Sequence, residues 1–277
     1  MITSLVCRFE HFSAPWFAAW EGVIEPDLRE LLALHGAPPG RPRFHRKAWE
    51  WIAVLAAMEE RGLLREGARA LGFAVGNEPL AAVLASRGVD VVGTDVPVKE
   101  QTASAWANDG QHAGSLAALE KPRIVDHETF ARRTSFVPAD MRKPLNFPSA
   151  SFDAIWSCCA IEHLGSLEAG TDFVLRSAAL LKPGGFAFHT TEYNLSSDDR
   201  TLRKGGTVLY RERDVEALDR DLRRRGACLE RLDLFPGSEL HDRRYDVNPY
   251  YHDATREHVK LLLDGFVTTS ALLIVCA

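Results

Sequence analysis

Cysteine, methionine and long apolar runs are all scarce in this chain of 277 residues. The five cysteines (Cys7, Cys158, Cys159, Cys228 and Cys276) are odd in number and scattered. They make neither a disulfide framework nor a CxxC pair, so a reducing compartment is expected. The first residues, MITSLVCRFEHF, lack the apolar core of a secretory signal. The longest apolar tail, SALLIVCA, is far short of the roughly 20 residues a membrane helix needs. A soluble cytoplasmic protein is the expectation. An excess of one charge is missing too. Against 38 Asp and Glu stand 33 Lys and Arg, a net −5, which leaves no positive field to attract nucleic acid or an anionic membrane. With 20 Gly and 14 Pro the chain is neither collagen-like nor linker-dominated. What is present is apolar content. At 46% hydrophobic and 26% charged residues, the chain can build a core without staples and is too apolar to be disordered.

No internal repeat or low-complexity tract interrupts the sequence. Residues 1–45 differ in texture from the rest, with Trp16, Phe17 and Trp20, a short helical stretch, and the Pro-rich basic segment GAPPGRPRFHRK as a linker. They read as a helical extension that either covers a cleft or packs at a sheet edge, followed by one domain over 46–277. Within that domain Trp51, Ile52, Leu55 and Met58 recur at helical spacing. Strand-like runs then alternate with helical ones, at 68–75, 89–96, 134–140, 152–159 and 186–192, with two more at 227–235 and 270–276. A long variable stretch holding Trp106, Gln111 and His112 separates the second from the third. Such alternation needs crossover connections, which produce a mainly parallel sheet with helices on both faces. Ligands bind such sheets at the carboxyl ends of the strands, so functional side chains are expected just after each one.

The first strand runs into LGFAVGNE, where Gly72 and Gly76 permit a tight turn and a close backbone approach. Asp95 ends the second strand, 23 positions beyond Gly72. A carboxylate there can accept ribose hydroxyls in charge-assisted bonds of about 1.5–3 kcal/mol each. Together, glycine turn and acidic strand end point to an adenosine-containing ligand. The plainer alternative is that the glycines only allow close packing and Asp95 caps a helix.

ALGFAVGNE, VVGTDV, PADM, WSCCAIEHL and LLKPGGFAFHTTE occur in the order seen in class I S-adenosylmethionine-dependent methyltransferases, and residues 65–277 resemble that family. The resemblance implies a Rossmann-like sheet of seven strands, the last antiparallel, and S-adenosylmethionine as cofactor. It assigns cofactor contacts to Gly72, Phe73, Gly76 and Glu78 around the first loop, to Asp95 for the ribose, to Asp140 and Met141 beside the adenine, and to Ser157. The sequence departs from the family pattern at Ala70, where an acidic residue is usual, and at Ala74, where a glycine is common; Glu78 is the carboxylate expected to compensate. A narrower resemblance, through GFxVGxEPL and CAxEHLGSLExG, is to bacterial methyltransferases associated with sugar or surface-glycan biosynthesis. It ranks a sugar-containing small molecule first as acceptor.

Methyl transfer needs positioning and, for a hydroxyl acceptor, a base. His163, beside Glu162 after the fourth strand, is the candidate base by residue type; both could instead orient a loop. Glu192, with Tyr193, ends the fifth strand facing the expected cleft. His189 is read as a core residue, with His163, His189 and Glu192 as a weak metal set; no metal is expected. His241-Asp242 and the run NPYYHDATREHVKL, with a helix over REHVKLLL, are possible acceptor-site material. Arg223-Arg224-Arg225 is compensated by Asp219 and Asp221 on one helix and is not a nucleic-acid patch. Two rivals stay open. One is an NAD(P)-dependent oxidoreductase, disfavoured because Glu78 would repel a pyrophosphate; the other is a non-catalytic adenosine-ligand-binding protein on the same fold. Oligomeric state is not legible.

Overall fold

Eleven strands hydrogen-bond into a single sheet in the structure, a computed structural model that describes residues 1–34, 37, 44–97, 111–251 and 257–277. Trp106 and parts of the Pro-rich segment and of the NPYYHDATREHVKL run lie outside the described residues. The parallel half is built from β2 (Arg69–Gly72), β3 (Asp90–Gly93), β4 (Thr134–Phe136), β5 (Phe152–Cys158) and β6 (Leu181–Asn194), in the spatial order β4-β3-β2-β5-β6. Strand order reverses between β2 and β5, which opens a crevice at their carboxyl ends.

The sheet carries more strands than the seven expected. β11 (Phe266–Cys276) runs antiparallel to β6, as the resemblance implies. β1 (Ser4–Val6) pairs with β11 and with β8 (Leu232–Asp233), so the first residues are woven into the sheet. β7 (Cys228–Leu229) and β10 (Lys260–Leu263) also pair with β11, and β9 (Asp246–Val247) pairs with β10. The helix expected over REHVKLLL is thus partly the strand β10. Asp264 and Gly265, both at positive φ, make the two-residue turn that returns the chain along β11.

Side chains alternate between the two faces. Trp156, Phe188 and Ile274 join α1 (Pro15–Leu34), α2 (Arg46–Glu60) and α3 (Leu80–Ser86) in one apolar cluster. Their neighbours Ile155, Ala187 and Leu273 join α5 (Leu167–Ala178) and α6 (Glu212–Arg223) in the other. A further helix among the described residues, α4 (His127–Arg133), begins at an Asp126 side-chain cap. Phe17 and Trp20 are buried in the first cluster, so they pack. Arg223 pairs with Asp219 at 2.8 Å and Arg224 with Asp221 at 2.6 Å, as the charge pattern implies.

The reading that left all five cysteines unpaired is corrected: Cys228 on β7 and Cys276 on β11 are opposite one another and form a disulfide. Cross-strand register, invisible in the scattered sequence positions, brings them together. No helix among the described residues is long and apolar enough to cross a membrane.

Candidate functional site

A cavity of about 380 Å³ opens at the carboxyl ends of the parallel strands. Asp95, Val96, Asp140, Met141 and Ala74 line the part next to the loop that follows β2. Of the two glycines of the first loop, Gly76 takes φ +49, and a Cβ on it would lie 2.4 Å from the Gln111 carbonyl oxygen. Gly72 is a glycine for packing: a Cβ there would lie 2.2 Å from Trp156 Cζ2. Ala74 also takes a positive φ, 50°, a conformation that costs an L residue about 1–2 kcal/mol and explains why glycine is common there in the family it resembles.

Asp95 is organised by the backbone around it. Val96 N–H donates to Oδ1 at 2.7 Å, while Gly76 and Ala113 donate to Oδ2 at 3.2 and 3.0 Å. Three of roughly four lone-pair positions are used, which leaves acceptor capacity on Oδ1 for a hydroxyl. Burial pushes its carboxyl up, and the Ala113 and Val96 N–H bonds oppose this. Asp140 accepts Arg142 Nε at 2.9 Å and Nη2 at 2.8 Å. Burial would raise its carboxyl, but Arg142 holds it below the usual range.

Glu78 lines a smaller adjoining cavity and accepts Trp156 Nε1–H at 2.5 Å. Burial pushes it up to about 8 against that hydrogen bond. The expectation of a permanent negative charge at Glu78 is therefore corrected: at neutral pH it is mostly protonated, so the repulsion of a pyrophosphate argued from it falls away.

At the other end of the cavity, Glu162 lies in a single helical turn after β5 and accepts Thr191 Oγ1–H at 3.2 Å. Burial raises its carboxyl as well. Glu192, near the end of β6, pairs with Arg46 from the start of α2. Glu162 Oε1, Glu192 Oε2 and Arg46 Nη1 are buried without a hydrogen-bond partner among the described residues. Cys159 joins the carboxylates, with one ligand atom from each of the three within 4.8 Å of the others. Beside them Lys47 pairs with Glu50 at 2.6 Å. His163 is half-buried on the same wall, and its Nδ1 donates to the Gly206 carbonyl at 2.8 Å.

Several expected site residues lie elsewhere. Phe73 is buried edge-on against Phe173, 5.0 Å between ring centres. Ser157 bonds His189 Nδ1 at 2.8 Å inside the sheet–helix layer, and neither lines the cavity. Period-two alternation turns both away from the cleft. Burial pushes His189 down to about 3, so it is a neutral core residue, and the set of His163, His189 and Glu192 is not assembled. His241 stacks on Phe9 at 4.1 Å, and Asp242 bonds Phe9 N–H at 2.9 Å, both away from the cavity. The NPYYHDATREHVKL run does contribute, through Tyr250, Tyr251 and His258. Arg46, Lys47 and Cys159 were missed, because the first two belong to a segment that reads as linker.

Residues 71–189 match the family model described as a methyltransferase domain. No curated protein matches the chain. Among solved structures, an S-adenosylmethionine-dependent methyltransferase from Mesorhizobium loti is 15% identical, with 79% of this chain and 95% of that one covered at TM-score 0.46. A similar enzyme from Methanosarcina mazei is 14% identical, with coverage of 78% and 95% at TM-score 0.44. The N-methyltransferase 2 of Haemonchus contortus, solved with phosphomonomethylethanolamine and S-adenosylhomocysteine, is 22% identical at TM-score 0.34; 54% of this chain is covered but only 31% of that one.

Proposed function

We propose that this chain, an S-adenosylmethionine-dependent methyltransferase, methylates a hydroxyl group of an uncharged small molecule, with a sugar or sugar-containing metabolite first in rank. The cofactor supplies an electrophilic methyl group on a sulfonium. Asp95 would hold its ribose through the acceptor capacity left on Oδ1, with Gly76, Asp140 and Met141 bordering the adenosine and Glu78 nearby.

One observation carries the choice of acceptor: the three partnerless buried atoms, Glu162 Oε1, Glu192 Oε2 and Arg46 Nη1. Leaving such groups unpaired costs free energy, so a ligand that satisfies them is favoured. A hydroxyl both donates and accepts, and neighbouring hydroxyls suit two carboxylate oxygens flanked by a guanidinium. Arg46 and Lys47 are already matched by Glu192 and Glu50, so this end offers no surplus positive charge for an anionic acceptor, and burial raises the Glu162 carboxyl toward its neutral form. His163 borders the same space and would contact the acceptor.

Calorimetry against S-adenosylhomocysteine and NAD tests the cofactor: the first should bind and the second should not, and binding of NAD alone would sink the reading. Incubation with S-adenosylmethionine and panels of neutral polyols, amino sugars and sugar acids tests the acceptor. Methyl ethers from the neutral panel are expected; turnover confined to the charged panels would overturn it.

A further inference from the structure

Asp246, on β9, and His258, just before β10, are 12 residues apart and form a buried pair: the His258 Nδ1–H donates to Asp246 Oδ2 at 2.9 Å. They stand at the cleft end of the sheet for a topological reason. β11 is antiparallel to β6, so its first residues lie beside the carboxyl end of β6, where Thr269 is opposite Tyr193. β10 pairs with those same residues, Lys260 opposite Thr269, and β9 follows β10. His258 is therefore carried to the level of Glu192.

Further contacts fix the ring. The His258 carbonyl accepts Arg46 N–H at 2.9 Å, which ties it to the start of α2. His45 stacks on the ring at 4.5 Å, and Tyr250 and Tyr251 pack against it at 5.2 and 4.6 Å. Asp246 is itself immobilised by the N–H groups of Val247 at 2.9 Å and Tyr251 at 3.1 Å. His258 lines the main cavity, and its Nε2 has no hydrogen-bond partner among the described residues.

We propose that His258, held by Asp246, is the base that takes the proton from the acceptor hydroxyl, with Asp246 as its positioning residue. This rests on the hydroxyl-acceptor reading above. As the acceptor oxygen bonds the methyl carbon, the carbon–sulfur bond breaks with its electron pair kept by sulfur, and the hydroxyl proton passes to His258 Nε2. A carboxylate on Nδ1 fixes the tautomer that exposes Nε2 as an acceptor and stabilises the imidazolium that forms. His163 donates its Nδ1–H to a backbone carbonyl, whereas the His258 Nδ1–H is held by a carboxylate. Burial, opposed by Asp246, holds His258 below its ordinary value, so it is neutral and ready to accept at pH 7. Asp246 is lowered, since His258 and the Tyr251 N–H outweigh the burial that would raise it.

Two measurements on the full chain test the dyad. In nitrogen-15 histidine spectra of the S-adenosylhomocysteine complex at pH 7, His258 should be neutral with its proton on Nδ1; a charged ring, or a proton on Nε2, overturns the proposal. In turnover, S-adenosylmethionine is supplied with glycerol and methyl glucoside as probe hydroxyls, and methyl ether is quantified. His258→Gln should lower kcat by about 100-fold with the KM for S-adenosylmethionine little changed, while His127→Ala, on an exposed helix, serves as the control. Asp246→Asn should lower kcat and also move the low-pH limb of the rate profile downward, because the ring loses its anion while Arg46 remains; His45, Tyr250, Tyr251 and Glu192 also face it. A merely structural Asp246 would change yield or melting temperature and leave that limb in place. Full activity of His258→Gln overturns the proposal. Methylation of amine or thiol probes alone would instead sink the hydroxyl reading, and the spectra would still decide whether the dyad exists.

Discussion

Trp156 Nε1 donates to the buried carboxyl of Glu78, tying the fourth parallel strand to the loop after the first. The bond offsets only part of the desolvation of Glu78, whose pKa rises from 4.5 to about 8. The folded protein therefore keeps a proton that the unfolded chain releases. The resulting stability is fully present below about 4.5 and is lost progressively as pH rises to about 8, by up to about 1.4 kcal/mol per pH unit from this group. Glu78→Gln keeps an acceptor for Trp156 and removes the titration. Urea midpoints measured from pH 5 to 9 should fall less steeply in the variant, and identical slopes would show that Glu78 ionises normally.

Gly72 supports the other side of the same indole. Its missing Cβ would sit 2.2 Å from Trp156 and 2.5 Å from Val75. Gly72→Ala is overpacking in a core that cannot yield cheaply, so a loss of about 1–3 kcal/mol is expected in urea unfolding. An undiminished midpoint would mean that the indole moves aside.

Asp95 organises the loop as well as the expected ribose, so replacing it with alanine would strip three backbone N–H groups of their acceptor. Asp95→Asn is the cleaner probe. Losing one charge-assisted bond of about 1.5–3 kcal/mol should weaken S-adenosylhomocysteine binding roughly 10–100-fold. Calorimetry gives the number; unchanged affinity would remove Asp95 from the ribose role.

The Cys228–Cys276 bridge closes a separation of 48 residues across the antiparallel edge. Reduction, or Cys228→Ser, should lower the urea midpoint by the equivalent of about 2–4 kcal/mol. A midpoint indifferent to reductant would show that the pair contributes nothing in solution.

The parallel sheet was legible because apolar strand runs alternate with amphipathic helices, and the spacing of Gly72 and Asp95 marks its first crossover. Glu162, His163 and Glu192 could be placed beside the cavity for the same reason, as residues that follow strands. The rest depends on tertiary pairing. β1 finds its partners near the other end of the chain, Ser4 opposite Leu232 on β8 and Leu5 opposite Leu272 on β11. Arg46 is one basic residue in a Pro-rich segment until α2 docks and Glu192 meets it. Asp246 and His258 are joined only when β9 and β10 pair. The Asp264-Gly265 turn was the local signal that could have exposed that hairpin. Ser157 was misplaced by one step of the strand period: its neighbour Cys158 lines the cavity, while Ser157 points to His189.

The Arg46–Glu192 pair allows a separation of stability from acceptor binding. Both side chains are nearly enclosed, 14% and 5% exposed, and Glu192 sits in a wall already holding Glu162. Arg46→Met would leave Glu192 buried without its cation, a change that typically costs about 3–5 kcal/mol. Glu192→Gln would strand the guanidinium, though Glu50 also stabilises its charge, so a smaller loss is expected. The double variant removes both desolvated charges and should recover much of the stability lost in Arg46→Met, because breaking one partner is worse than removing the pair. If stability returns in the double variant while methyl transfer to neutral polyols does not, the pair serves the acceptor and not the fold. Equal, additive losses in the cycle would show that the two side chains do not interact, and would take with them the argument that Glu192 already neutralises Arg46.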